Sequence, residues 1–193
     1  MGFVDSYIYI QIIKKIMNKH TFNNSYTKFE LVSFSDEELL DIIKVEMSSY
    51  EKRFPNVDLL LDSIYFCNKE KEIMKINNRF KKEYANSFLL MASQYGHANA
   101  ISKLLRMGDD IEFSDDLGYR AIIIACNFGY IDCAQKLLDW GANPNVCNHS
   151  NEFPLDFALK VGPELIELLL QYGAERMDER YEVIIEDVKS LLN

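Results

Sequence analysis

Paired cysteines are missing from this sequence. The 193 residues hold four (Cys67, Cys126, Cys133 and Cys147) with no paired spacing. That removes a disulfide framework as the organising principle and points to a reducing, cytoplasmic-type compartment. Long apolar runs are missing too. The run YIYIQII, Tyr7 to Ile13, is far short of the roughly 20 residues that span a bilayer. It also precedes its lysines, the reverse of the order in a secretory leader; an export signal placed elsewhere stays open. Positive charge is not in excess: 21 Lys and Arg stand against 30 Asp and Glu, a formal charge of −9. Residues 1–85 hold 13 basic and 13 acidic residues and residues 86–193 hold 8 and 17, so the whole excess falls in the second half. Phosphate would be repelled there, which excludes nucleic acid as an expected partner and favours a protein with a basic surface.

Signatures of chemistry are absent as well. No glycine-rich phosphate loop follows a strand-like run, and there is no His-Glu-x-x-His pair or Gly-x-Ser-x-Gly elbow. Cys126, Cys133, Cys147 and His149 have the softness of zinc ligands. Cys126 and Cys133 nevertheless fall at small or inward positions, so buried structural cysteine is the preferred account. Cys147 and His149 lack a third group to orient the histidine as a base. No catalytic residue, metal, cofactor or membrane insertion is expected.

What the chain does have is core-forming material, 48% hydrophobic and 12% aromatic residues. This is too apolar for disorder and enough for one large or two small domains. It also has a repeat. GYIDCAQKLLDWGANPN (Gly129 to Asn145) lies 33 residues after GHANAISKLLRMGDDIE (Gly96 to Glu112). Gly96 matches Gly129, Leu104 and Leu105 match Leu137 and Leu138, and Gly108 matches Gly141. Ala92, Ala125 and Ala158 keep the same period. Gly173 comes 32 residues after Gly141, which reads as a third helix that has lost one position.

This pattern resembles the ankyrin repeat, whose period is 33 residues. The resemblance covers about 86–175 and implies an all-α helical stack of three helix pairs. The Thr-Pro-Leu-His opening of such units is degenerate: its slots read SFLL (Ser87 to Leu90), RAII (Arg120 to Ile123) and FPLD (Phe153 to Asp156). The three alanines would sit where helices come close, and a larger side chain there would overpack. Gly96 and Gly129 would divide the two helices of a pair, and Gly108, Gly141 and Gly173 would end the second. Single residues fit the same resemblance. His97 matches a structural histidine of the family, and Asn145 resembles a hairpin asparagine that is hydroxylated in some ankyrin proteins.

Two flanks remain. Residues 176–193 place Tyr181, Ile184, Ile185, Val188, Leu191 and Leu192 at helical spacing, as expected of a C-terminal capping helix. Residues 1–85 read as a helical N-terminal region, either a separate small domain or eroded repeats. Ser35 and Glu38 form a capping-box pattern, and a second helix is expected from Val57. A basic stretch (Lys69, Lys71, Lys75, Arg79, Lys81, Lys82) leads into the repeats.

The resemblance also implies where a partner would bind, namely on the hairpins and the concave inner-helix face. The inner-helix slots are Gln94-Tyr95, Asn127-Phe128 and Lys160-Val161. The first hairpin is acidic (Asp109, Asp110, Glu112, Asp115, Asp116) and continues with Leu117 and Tyr119; the next carries His149 and Glu152. Together these suggest a groove with an apolar floor and an acidic lip, the plain alternative being a solvated turn. The expected function is non-catalytic protein–protein interaction. The residue usage is similar to that of ankyrin proteins from intracellular bacteria or large DNA viruses, hence the expectation of a host-directed effector delivered into a host cell. Two other roles stay open. One is an inhibitor or immunity protein that blocks a basic enzyme. The other is a ubiquitin-ligase adaptor working through the N-terminal helices.

Overall fold

The computed structural model describes residues 31, 34–48 and 56–175. The run at Tyr7 to Ile13 and the expected capping helix over 176–193 lie outside the described residues. The helices are α1 (Asp36–Ser48), α2 (Val57–Phe66), α3 (Glu70–Tyr84), α4 (Phe88–Gln94), α5 (Ala98–Arg106), α6 (Ala121–Phe128), α7 (Ile131–Asp139), α8 (Pro154–Val161) and α9 (Pro163–Gln171). Among the described residues the β-structure is one isolated bridge, Ser114 with Arg120. The fold is the expected all-α stack. The chain forms two compact units, Met1–Arg79 and Phe80–Asn193, so the division falls inside α3, slightly before the expected border at 85.

In the first unit the capping box forms as its spacing predicts. Ser35 N donates to Glu38 Oε2 (2.9 Å) and Glu38 N to Ser35 Oγ (3.3 Å). α1 buries Leu39, Leu40, Ile42 and Ile43, and α2 buries Leu59, Leu60, Leu61 and Ile64; the two helices pack on each other. Asn56 caps α2 by accepting from Leu59 N (3.0 Å), and its own N–H donates to the buried Glu46 carboxylate (2.9 Å). Cys67 donates its thiol to the Asp36 carbonyl (3.4 Å).

The second unit stacks three helix pairs, α4/α5, α6/α7 and α8/α9. The inner helices α4, α6 and α8 pack in succession, with the outer helices behind them. Ala92, Ala125 and Ala158 are each 0% exposed at the same position of successive inner helices, as close helix approach requires. Gly96 and Gly129 turn the chain left-handed (φ 75° and 72°), and the next residue closes each turn: His97 N donates to Ala92 O and Tyr130 N to Ala125 O, both at 2.9 Å.

The third pair corrects one expectation. The lost residue is in the turn, not in the outer helix: α7 and α9 are both nine residues long. Pro163 follows Gly162 directly as the first residue of α9, so the position of Tyr130 has no counterpart. A proline fits there because the first helical N–H needs no partner. Each inner helix also starts differently. Ser87 Oγ accepts from Leu90 N (3.1 Å), whereas the α8 start uses Pro154 and Asp156 Oδ2, which accepts from Phe153 N (2.8 Å). In α4 and α8 local substitutes thus replace the degenerate opening motif, whereas α6 starts after Arg120 with no side-chain cap.

Candidate protein-interaction surfaces

The hairpin tips are built by one device used twice. Asp115 Oδ1 accepts from Leu117 N (3.0 Å) and Tyr119 N (2.8 Å), while Asp115 N donates to Tyr119 O (3.1 Å). Thirty-three residues on, Asn148 Oδ1 accepts from Ser150 N and Glu152 N (2.9 Å each), and Asn148 N donates to Glu152 O (3.1 Å). Asp and Asn suit this role because their short side chains fold back on the following backbone. Gly118 (φ 80°) turns the first tip. A Cβ there would lie 2.7 Å from His149 Cδ2 and 2.9 Å from His149 N, so the neighbouring tip lies hard against it.

Successive tips are then tied together. His149 N donates to Leu117 O (3.0 Å), and Glu112 Oε1 accepts from Asn143 N (3.0 Å). Asn145, the counterpart of Glu112, gives Nδ2 to Gly173 O and accepts from Glu175 N, both at 2.8 Å.

The five acids of the first tip therefore divide. Asp109 leaves the expected lip: its carboxylate is fully buried and paired with Lys81. Glu112 is an inter-unit strut that also lies 3.3 Å from Arg120 Nε. Asp110 and Asp116 are exposed, and Asp115 is half-buried. Glu152 accepts from Asn148 Nδ2 (2.7 Å) and from the Tyr119 hydroxyl (3.3 Å). Among the described residues no lysine or arginine pairs with Asp110, Asp115, Asp116 or Glu152. Asp110 and Asp116 present exposed charge and Asp115 and Glu152 are partly exposed; Leu117, which follows Asp116, is 64% exposed, and His149 on the next tip is exposed.

The inner-helix slots lie elsewhere. Tyr119 lies just before Arg120, the N-cap of α6, and Phe128 ends the helix; the eight residues of α6 span about 12 Å. Acidic lip and apolar row thus sit at opposite ends of the inner helices. Tyr95, Phe128 and Val161 are 47%, 50% and 43% exposed, and Gln94, Asn127 and Lys160 beside them are exposed. Lys160 directs its ammonium to the Phe157 ring, 5.2 Å from the centroid. Tyr130 joins the row. Its ring would lie 2.9 Å from a Cβ at Gly96 and stands nearly parallel to Phe128 (14°, centroids 6.2 Å apart). Its signal in the sequence was an aromatic residue where the preceding unit has His97.

Burial pushes the Cys126 and Cys133 thiols up to about 12, with Asp132 adding to the effect at Cys133. Among the described residues no group of three His, Cys, Asp or Glu is placed to hold a metal ion, and no helix is long and apolar enough to cross a membrane.

A family model described as ankyrin repeats (3 copies) matches residues 89–179. Protein phosphatase 1 regulatory subunit 27 of Homo sapiens is 32% identical over 132 residues, covering 65% of this chain and 83% of that protein. The ankyrin repeat-containing protein YGL242C of Saccharomyces cerevisiae is 31% identical over 133 residues, covering 62% of this chain and 71% of that protein. The chain belongs to the ankyrin-repeat family. An ankyrin repeat protein of Acanthamoeba polyphaga mimivirus is 34% identical over 67 residues, 34% of this chain and 16% of that protein, a limited likeness to viral members. As an ankyrin-repeat protein the chain is a protein-interaction module: neighbour-to-neighbour stacking fixes the tips and turn edges as continuous rows that a partner can read.

Proposed function

We propose that this protein binds a partner protein with a basic surface through its hairpin tips. The supporting observation is the set of carboxylates at Asp110, Asp115, Asp116 and Glu152, which have no cationic partner among the described residues, together with the exposed Leu117 that follows Asp116 directly. Such a patch attracts a basic surface over about a Debye length, and Leu117 supplies apolar area once water leaves. The four free cysteines, three of them buried, support a reducing compartment. Delivery into a host cell rests on residue usage alone.

The test is affinity capture with the full chain beside an Asp110→Asn, Asp116→Asn, Leu117→Ser variant. A partner held by the wild type, released as salt rises from about 0.15 to 0.5 M and absent from the variant, is the expected result. Equal capture by both chains at high salt would remove the proposal. A second reading, a regulatory or inhibitory subunit for a basic enzyme, is favoured by the likeness to a phosphatase regulatory subunit. In that case the captured partner is an enzyme in a one-to-one complex, and its rate changes on binding.

A further inference from the structure

The basic stretch that leads into the repeats divides as the acidic tip does. Lys69 Nζ lies 2.9 Å from Glu37 Oε1, and Lys81 pairs with the buried Asp109. Lys71, Lys75 and Lys82 are exposed and have no acidic partner among the described residues. All three belong to one continuous helix, α3. At about 3.6 residues per turn, Lys71, Lys75, Asn78 and Lys82 fall within about 60° of one another and form a row about 16 Å long. Asn78 is exposed as well. The opposite side of the helix carries the buried Ile73, Asn77 and Phe80. The acids of α3, Glu70, Glu72 and Glu83, stand about 90° or more from the middle of the row. The row precedes residues 89–179 and is no part of the repeat surfaces.

We infer that this row docks an acidic α-helix of a second partner protein, with carboxylates at its positions i, i+4, i+7 and i+11. Charge and spacing choose the occupant. Three ammonium groups and the Asn78 amide are all donors to a carboxylate. Their steps along α3 are about 6, 4.5 and 6 Å, which a partner helix of the same rise reproduces residue for residue. An extended strand repeats a face at about 6.7 Å and falls out of step. A bilayer or a long nucleic acid fits less well. Either reaches beyond the Debye length of about 8 Å and meets the −9 excess of the chain, whereas a single helix meets the row alone. Lys71, Lys75, Asn78 and Lys82 also include no aromatic ring to stack a base and no apolar side chain to enter a bilayer. The chain thus carries surfaces of opposite sign, tips for a basic partner and α3 for an acidic one. This site goes beyond the hairpin proposal and stands or falls separately from it.

The probe is a synthetic helical peptide with glutamates at those four positions on an alanine and glutamine background, titrated into the full chain by NMR at about 0.05 M salt. Exposed ion pairs are individually weak, so the expected dissociation constant is on the order of 0.1–1 mM, with binding lost by about 0.3 M salt. Lys71→Glu and Lys75→Glu should each weaken binding about 5-fold. A peptide with lysines in place of the glutamates should bind the triple variant Lys71→Glu, Lys75→Glu, Lys82→Glu and not the wild type. That exchange of charge is a readout that a merely structural role would not move. Leu117→Ser with Asp116→Asn at the hairpin tip should leave peptide binding unchanged. Several results would overturn the inference. They are no saturable binding, equal binding of a peptide of the same composition with its glutamates spread around the helix, and failure of the charge exchange. Tighter binding to phosphatidylserine vesicles or to a DNA duplex than to the peptide would also overturn it, by assigning the row to a lipid surface or a nucleic acid.

Discussion

The Tyr119 hydroxyl donates to Glu152 Oε2 at 3.3 Å, and these two residues hold the same position in successive units, 33 residues apart. A side chain at this position therefore faces its own counterpart across the unit boundary. Tyrosine supplies the donor and glutamate the acceptor, and Asn148 Nδ2 fills a second site on the same oxygen at 2.7 Å. In a stack whose units touch only their neighbours, such same-position pairs hold the register of the tips.

The alanine positions show how little slack the stack has. Ala125 is fully buried in α6, which packs against both α4 and α8. Ala125→Leu is expected to destabilise the protein by about 1–3 kcal/mol through overpacking, seen as a lower urea midpoint. An unchanged midpoint would mean that the inner helices do not approach closely there.

Much of the stack was legible because its demands are local and recur. A left-handed turn asks for glycine, a helix crossing for alanine, and both return with the period. The function of the acidic run was not legible, because the partners that divide it are distant in sequence. Lys81 claims Asp109 from 28 residues away, and Asn143 N claims Glu112 from 31. Charge alone could not separate struts from lip. The groove proposed from sequence also merged two places, since a list of slots does not show that Tyr119 and Phe128 stand at opposite ends of α6. In the first unit the capping box marked α1, but no repeat phase was available to indicate which helices pair.

The Lys81–Asp109 pair should matter most among the ion pairs described. The aspartate side chain is 0% exposed and the lysine 14%, and Asp109 Oδ1 also accepts from Asp110 N (2.9 Å). The Lys81 ammonium lies 4.8 Å from the Phe113 ring centroid. Asp109→Ala leaves the lysine largely desolvated beside an empty site, at a cost of about 3 kcal/mol. Denaturant unfolding checks this, and Asp116→Ala at the exposed tip is the control expected to change little.

The cysteines give a test of burial. Cys126 and Cys133 are 0% and 1% exposed, with thiols pushed up to about 12 by burial. The thiolate is the reactive form, so at about pH 8 both should resist a maleimide in the folded protein and label once urea unfolds it. Mass spectrometry after a timed pulse reads this directly. Fast labelling of either site under native conditions would contradict its place in the core.

Asp139 and Tyr172 offer a pH signature. The Tyr172 hydroxyl donates to Asp139 Oδ1, and Gln135 Nε2 donates to both at 2.8 Å. The bond from Tyr172, then that from Gln135, holds the aspartate below its ordinary 3.8, and the same Asp139 bond raises the tyrosine above its ordinary 10.0. A lowered carboxylate contributes stability that is full above its unfolded value and disappears as pH falls through the folded one. A raised phenol contributes stability that is full below its unfolded value and disappears as pH rises through the folded one. The pair therefore stabilises the α7–α9 contact across the neutral range and fades at both ends; solvent exposure keeps the effect small. In Tyr172→Phe the Asp139 midpoint should move up toward the ordinary value without reaching it, because Gln135 still donates. Carbon-detected NMR titration of the Asp139 carboxyl measures the shift, and equal midpoints in the two proteins would show that the tyrosine bond does not form in solution.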